Sequence, residues 1–230
     1  ISLSSEGNHT LTAFCRDLNG NISATIQISY TIDTSVPALS ISSQSSLAVS
    51  SQAGAISSST AVWRTNRSGS YTIYEGSSCS GTSIASGSAI ANQDNSFIRS
   101  YANFSGEGTK LFQICVTGSN GLVGFVSFAL QRDDTRPVVS ASPSTGNYSS
   151  ALMVTVGCSD VGGAGCDKIA YTKQIGSSPT NPAIQGNTGI VTSGLVYSSA
   201  IEISDEAITH TKYVARDRAG NISNVISQTY

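Results

Sequence analysis

The stretch CRDLNGNIS, residues 15–23, returns almost unchanged as ARDRAGNIS at residues 215–223. Six of the nine positions are identical across two hundred residues of chain. A looser copy, CVTGSNGLVG, begins at Cys115, so Cys15, Cys115 and Ala215 set a period of one hundred. Pro37 and Pro137 keep that period in the phrases DTSVPALS and DTRPVVS. An alternating segment precedes each copy (HTLTAF, TKLFQI, HTKYV) and another follows it (ISATIQISYTI, LVGFVSFAL, ISNVISQTY). A period near one hundred, with strand, turn and strand closing each unit, predicts tandem β-sandwich domains.

The phrase itself reads as a hairpin. Gly20 and Gly220 supply the positive φ that a short bulged hairpin loop needs. Asp17 and Asp217 accept backbone N–H groups two residues on and close the turn. The expected boundaries follow from the period. Residues 37–136 form one complete unit and residues 137–230 another. Residues 1–36 are the final hairpin of a truncated unit plus a linker. A lone hairpin is marginal in water, so it leans on a neighbour, belongs to a longer chain, or is lent to another chain to complete its sheet.

Composition agrees with an all-β reading. Charged residues are 11% of the 230, against roughly 25% in an ordinary soluble protein. Ser and Thr fill more than a quarter of the positions. Val, Ile, Thr and Tyr dominate alternating runs such as TIQISYTI at 25–32, GSYTIY at 69–74 and ALMVTVG at 151–157, with Gly, Ser, Asn and Asp between them. No segment sustains a helical period. A net charge of −2 gives nucleic acid and anionic membrane surfaces no basic stripe to meet. No apolar run is long enough to span a bilayer, so direct membrane insertion is not expected.

There are five cysteines. No Cys-x-x-Cys pair occurs, and only His9 and His210 are available to assist a zinc site. Disulfides are the better reading. Within the middle unit the pair is Cys79 with Cys115. Within the last it is Cys158 with Cys166, which closes the loop CSDVGGAGC. Loop-closure entropy assigns these about 3.8 and about 2.6 kcal/mol as upper estimates. Cys15 is left over. It sits in the sequence register of Cys115, and a partner 36 residues upstream falls before residue 1, so the odd count reads as truncation. The alternative is a free buried thiol in a cytosolic protein.

The phrases ARDRAGNIS, DTRP and CSDVGGAGCDKIAYT resemble bacterial Ig-like repeats. The last unit is closest to a subtype related to the C-terminal Ig-like module of chitobiase (β-hexosaminidase)-type secreted hydrolases. The middle unit, with VWRTNRSGSYTIYEGSSC and KLFQICVTGSNG, resembles a second subtype that alternates with it in large surface proteins of spirochaetes and other bacteria. Its hairpin departs from the other two in lacking the Asp and the Asn-Ile-Ser. The resemblance implies extracellular multi-repeat stalks, adhesins or spacers, whose partners are neighbouring Ig-like repeats and a host matrix protein or glycan.

Catalysis finds no support. There is no Gly-x-Ser-x-Gly, no His-Glu-x-x-His and no phosphate-binding glycine loop. His9 and His210 occupy nearly equivalent places before a recurring strand. Asp205 and Glu206 read as an exposed turn. Metal binding is the one open option. Asp17, Asn19 and Asn21, with Asp217 and Asn221, sit at hairpin tips, while Asp33, Asp133 and Asp134 sit in linkers. Calcium takes six to eight oxygens, often from two neighbouring segments, and the resemblance implies such ions at domain junctions. The plain alternative is an Asp that closes its own turn. Thr117 stands where an Asp is wanted in the middle unit, which weakens a regular ladder. Asn-x-Ser/Thr triplets at Asn8, Asn21, Asn66, Asn103, Asn147 and Asn221 arise by chance in so Ser-rich a chain. Trp63 reads as a core residue, with sugar stacking as its alternative.

The expectation is therefore a non-catalytic, cell-surface stalk or adhesin of tandem Ig-like β-sandwiches in an extended array. Two alternatives remain. One is a subunit of an extracellular filament or sheath, with inter-chain completion of the partial domain. The other is a carbohydrate-binding or accessory module of a secreted glycosidase, which needs exposed coplanar aromatics.

Overall fold

The computed structural model describes residues 5–230, so residues 1–4 of the expected first segment lie outside the described residues. Described from the N-terminus, β1 (Gly7–Ala13) and β2 (Ile26–Ile32) pair antiparallel as a hairpin. The middle sandwich contains β3 (Leu39–Gln44), β4 (Ala48–Val49), β5 (Ser58–Thr65), β6 (Gly69–Glu75), β7 (Ser83–Ala89), β8 (Asn95–Ser100), β9 (Gly108–Gly118) and β10 (Val123–Arg132). A single 3₁₀ turn, Tyr101–Asn103, interrupts it. The C-terminal sandwich contains β11 (Val138–Ser142), β12 (Leu152–Ser159), β13 (Cys166–Ile175), β14 (Ala183–Ile184), β15 (Val191–Ser193), β16 (Leu195–Val196), β17 (Ile201–Ile203), β18 (Thr209–Asp217) and β19 (Ile226–Thr229). The chain is all-β.

In the middle sandwich a three-stranded sheet ordered β3-β5-β8 faces a five-stranded sheet ordered β4-β10-β9-β6-β7. Alternation dictates which side chains meet. Along β5, Ser59, Ala61, Trp63 and Thr65 point inward. Trp63 meets Tyr71 edge-on at 5.1 Å, and Phe112 stacks on Phe128 at 5.2 Å. Phe97 and Phe104 complete the aromatic cluster. The C-terminal sandwich sets β11-β12-β17 against β16-β13-β18-β19. Its core is smaller and largely aliphatic, built from Val139, Val154, Val156, Ile201 and Ile203 around Tyr213. Disulfides join Cys79 to Cys115 and Cys158 to Cys166, with Cα atoms 5.8 and 6.2 Å apart.

Cys15 requires a correction. The hairpin hydrogen bonds, not the hundred-residue period, decide which residues correspond. Gly118 N–H donates to Leu122 O as Asp217 N–H donates to Asn221 O, and Gly121 N–H donates to Gly118 O as Gly220 N–H donates to Asp217 O. The middle tip therefore runs one residue short of the period. Val116 corresponds to Ala215 and both point into a core. Cys115 corresponds to Val214, one residue off that face. Cys15 occupies the place of Ala215: Ser23 N–H reaches Cys15 O at 2.8 Å and Ser223 N–H reaches Ala215 O at 2.9 Å. Cys15 is thus not the register mate of Cys115, and the offset to Cys79 locates no partner for it. It is free and exposed. By the same slip Gly118, not Thr117, stands where the other tips carry Asp.

Trp63 is the only tryptophan and lies in the middle core, so its fluorescence follows that sandwich alone. Phe112→Ala removes the ring at the centre of the aromatic cluster. The expected cost in denaturant unfolding followed at Trp63 is about 3–5 kcal/mol, and a loss below about 1 kcal/mol would contradict this packing.

Candidate functional site at the sandwich junctions

The recurring hairpin tip is a docking element. In the C-terminal sandwich Asp217 Oδ1 accepts from Asn221 N–H and Asp217 Oδ2 accepts from Asn221 Nδ2, both at 2.8 Å. That fixes the Asn221 side chain. Its Nδ2 then donates to two carbonyls of the linker behind the middle sandwich, Asp133 O at 2.9 Å and Thr135 O at 3.0 Å. Its Oδ1 accepts from Ser50 Oγ of the middle sandwich at 2.5 Å. Beside it, Ile56 N–H donates to Ala219 O at 3.0 Å. Gly220 has φ +89°, and an added Cβ there would stand 3.0 Å from Ile56 N, so glycine allows both the turn and the close approach.

The middle sandwich repeats the contact with a different residue position. Asn120 Nδ2 donates to Asp33 O at 3.1 Å and Ser35 O at 2.9 Å, in the linker ahead of it. Both linkers adopt the same turn. Asp33 Oδ1 accepts from Ser35 N–H, and Asp133 Oδ1 from Thr135 N–H, each at 3.0 Å. The turn aims carbonyls of residues i and i+2 at one asparagine. The intervening N–H goes to a glutamate: Glu6 Oε1 takes Thr34 N–H at 3.0 Å and Glu107 Oε1 takes Asp134 N–H at 2.7 Å. Carbonyls taken from solvent need partners, and the two asparagine amides supply them at these junctions.

The second junction also gathers three carboxylates. One oxygen from each of Asp133, Asp160 and Asp217 lies within 4.8 Å of the other two. Asp133 comes from the linker, Asp217 from the hairpin, and Asp160 from the loop that the Cys158–Cys166 disulfide closes. Ala164 N–H of that loop donates to Asp133 Oδ2 at 2.7 Å. An added Cβ on Gly163 would stand 2.5 Å from the Asp160 carboxylate, so a side chain there would displace that carboxylate. Burial pushes the Asp217 carboxyl up to about 6, with the Asp133 and Asp160 charges adding to it. Burial also raises Asp133, helped by Asp160 and Glu107. Two nearby guanidinium groups are engaged elsewhere: Arg216 pairs with Asp167 and Arg132 with Asp134.

The candidate calcium residues distribute unevenly. Asp217 and Asn221 are at the cluster, but Asn221 serves as the clamp. Asp33 is paired with Arg67, and this pairing holds its carboxyl well below the usual range. Asp134 is paired with Arg132 and capped by Ser51 N–H at 2.6 Å. Asp17 and Asn21 are exposed at the free tip, where the Asn21 amide lowers the Asp17 carboxyl. Asp160 escaped the sequence reading, because it lies outside the recurring phrase and only folding brings it to Asp217. The GlyGly-containing disulfide loop was the available signal. The cluster fits a hard cation. Ligands about 2.4 Å from one ion are at most about 4.8 Å apart, and Asp160 Oδ1 is sealed from solvent with no hydrogen-bond partner.

Trp63 is fully buried, and Tyr71, half-buried, packs against the same core, so Trp63 does not stack on a sugar. No family model matches the chain, and no curated protein matches it. Solved structures are similar at the level of fold. The fibronectin(III)-like modules of CbhA from Clostridium thermocellum are 13% identical, with TM-score 0.44, over 84% of this chain and 92% of that one. Chicken CNTN1 FN1–FN3 domains are 11% identical, with TM-score 0.34, over 94% and 75%. A beta-glycosidase from Bacteroides vulgatus is 10% identical, with TM-score 0.27, over 86% of this chain but 25% of that one. Disulfides such as the two here form and persist in oxidising, extracytoplasmic settings. Among the described residues no helix is long and apolar enough to cross a membrane.

The raised carboxyls set a pH dependence. The folded junction binds a proton at Asp217 more tightly than the unfolded chain does, so this group's contribution weakens as pH rises from about 4 to about 6. In chelator, the C-terminal sandwich is expected to melt at a higher temperature at pH 5 than at pH 7, and Asp217→Asn to flatten that difference. Calcium competes with the protons, so millimolar calcium should raise the pH 7 midpoint more than the pH 5 midpoint. A calcium effect equal at both pH values would contradict binding at these carboxylates.

Proposed function

We propose that this chain is a run of Ig-like units, with boundaries at 1–36, 37–136 and 137–230, forming a non-catalytic, semi-rigid spacer of a bacterial surface protein. The observation that carries this reading is the asparagine clamp, made twice, by Asn120 on Asp33 and Ser35 and by Asn221 on Asp133 and Thr135. A flexible string has no need to bury linker carbonyls against the following sandwich. Each clamp fixes one unit on its predecessor, so added units add length. A hard cation at Asp133, Asp160 and Asp217 would neutralise the second junction and stiffen it further. Ligand contact, with a matrix protein or a glycan, would then be weak at each unit and summed by repetition.

A filament or sheath subunit is the second reading. It is favoured by the apolar residues that the hairpin leaves exposed, Leu11, Phe14, Ile26 and Ile28. Their counterparts on β18 and β19 belong to a four-stranded sheet, whereas β1 and β2 pair only with each other among the described residues.

Small-angle scattering tests the rod. The wild-type protein is expected to give one maximum dimension that does not change with salt. The double variant Asn120→Ala/Asn221→Ala should give a broader distance distribution with unchanged β content. Identical profiles for the two proteins would remove the clamp as the source of rigidity.

A further inference from the structure

The hairpin tip at residues 15–23 carries the docking apparatus of residues 215–223, and among the described residues no linker turn is hydrogen-bonded to it. Inside the two tips the bonds that set the asparagine recur, although Asn19 N–H also donates to Asp17 Oδ1 in the first tip only. Asp17 Oδ1 accepts from Asn21 N–H and Asp17 Oδ2 from Asn21 Nδ2, each at 2.8 Å, as Asp217 does with Asn221. Cys15 N–H reaches Ser23 Oγ at 2.9 Å as Ala215 N–H reaches Ser223 Oγ at 2.8 Å. The Arg16–Ile22 bridge matches Arg216–Ile222. Gly20 and Gly220 share a positive φ, +93° and +89°. The difference lies outside. Asn221 is buried and its amide also holds Asp133 O, Thr135 O and Ser50 Oγ. Asn21 is exposed, and among the described residues its amide group has only Asp17 as a side-chain partner.

We propose that the tip at 15–23 is a docking site for the linker of an Ig-like sandwich, a turn of the form Asp-x-Ser/Thr that presents the carbonyls of its first and third residues to Asn21 Nδ2. The form of the occupant is read from the two filled sites, Asp33-Thr34-Ser35 and Asp133-Asp134-Thr135. Both curl the first Asp carboxylate onto the third N–H, and both offer the two carbonyls to one asparagine amide. The rim fits a protein partner. Leu18 and Ile22 flank the turn and are exposed, so docking covers apolar surface as well as satisfying the amide. The site is preorganised, because Asp17 already holds Asn21 in the docked rotamer, and little ordering remains to oppose binding.

This inference rests on reading the chain as a run of Ig-like units, and the test separates the two. The probe is a peptide of residues 130–138, Leu-Gln-Arg-Asp-Asp-Thr-Arg-Pro-Val, titrated into the isotope-labelled 230-residue protein while side-chain amide resonances are followed. Saturable movement of the Asn21 amide is expected, with a dissociation constant on the order of 1–10 mM for so small a contact. The Asn221 amide should stay still, because its site is filled. Asn21→Asp keeps the shape and removes the donor, and it should weaken the response at the neighbouring Gly20 and Ile22 amides at least tenfold. A peptide with Asp133→Ala should bind less well than the parent. No movement at Asn21, or equal movement in Asn21→Asp, overturns the docking site. That result would leave the two internal clamps standing, since scattering of the Asn120 and Asn221 variants tests those alone.

Discussion

The side-chain amide of Asn221, held by Asp217 and shared between the carbonyls of Asp133 and Thr135, joins the last two sandwiches. A linker pressed between two folded units loses water from its carbonyl groups. Each then needs a donor, or costs about 1–3 kcal/mol of unmet desolvation. One asparagine amide presents two N–H groups in a fixed plane, and the Asp-x-Ser/Thr turn sets two carbonyls at a matching spacing. The recurring phrase RDxxGN is therefore more than a hairpin. Asp builds the turn and orients Asn, Gly provides the positive φ and leaves room for the facing backbone, and Asn holds the linker.

Docking reverses the electrostatics of the turn. The free Asp17 is held below the ordinary carboxylate range by the Asn21 amide. Asp217 makes the same bonds, yet burial beside Asp133 and Asp160 drives it upward. The same local chemistry thus opposes docking at neutral pH unless a proton or a cation arrives. The disulfide between Cys158 and Cys166 keeps Asp160 in that position by closing a loop of few residues. The second junction accordingly combines a neutral clamp with a charge-dependent one, and the first, where Arg67 neutralises Asp33, has only the former.

Much of the architecture was legible in the residues. Alternation marked β6, β9 and β12, Gly20 and Gly220 marked the turns, and the even cysteine count of the middle unit marked the link between Cys79 and Cys115. The joints were only half legible. The phrase at 215–223 announced a repeated role but not its partner, because Asp133 and Asn221 are far apart in sequence and meet only through docking. Asp160 carried no periodic signal. Strict periodicity also misled: a slip of one residue at the middle tip turns Cys115 away from the position that Cys15 holds, and it moves the clamp from the place of Asn221 to Asn120. Side-chain facing has period two, so a single residue of slip changes every assignment made across it.

The most direct measurement is hydrogen exchange at the Ile56 backbone amide, whose acceptor, Ala219 O, lies across the junction at 3.0 Å. A docked junction protects this amide to nearly the level of β5 and β9 amides, and Asn221→Ala releases it to the rate of an open loop while those strands stay protected. Exchange of Ile56 in the wild-type protein at the rate of an open loop would contradict the account, because the sandwiches would then be tethered and not clamped.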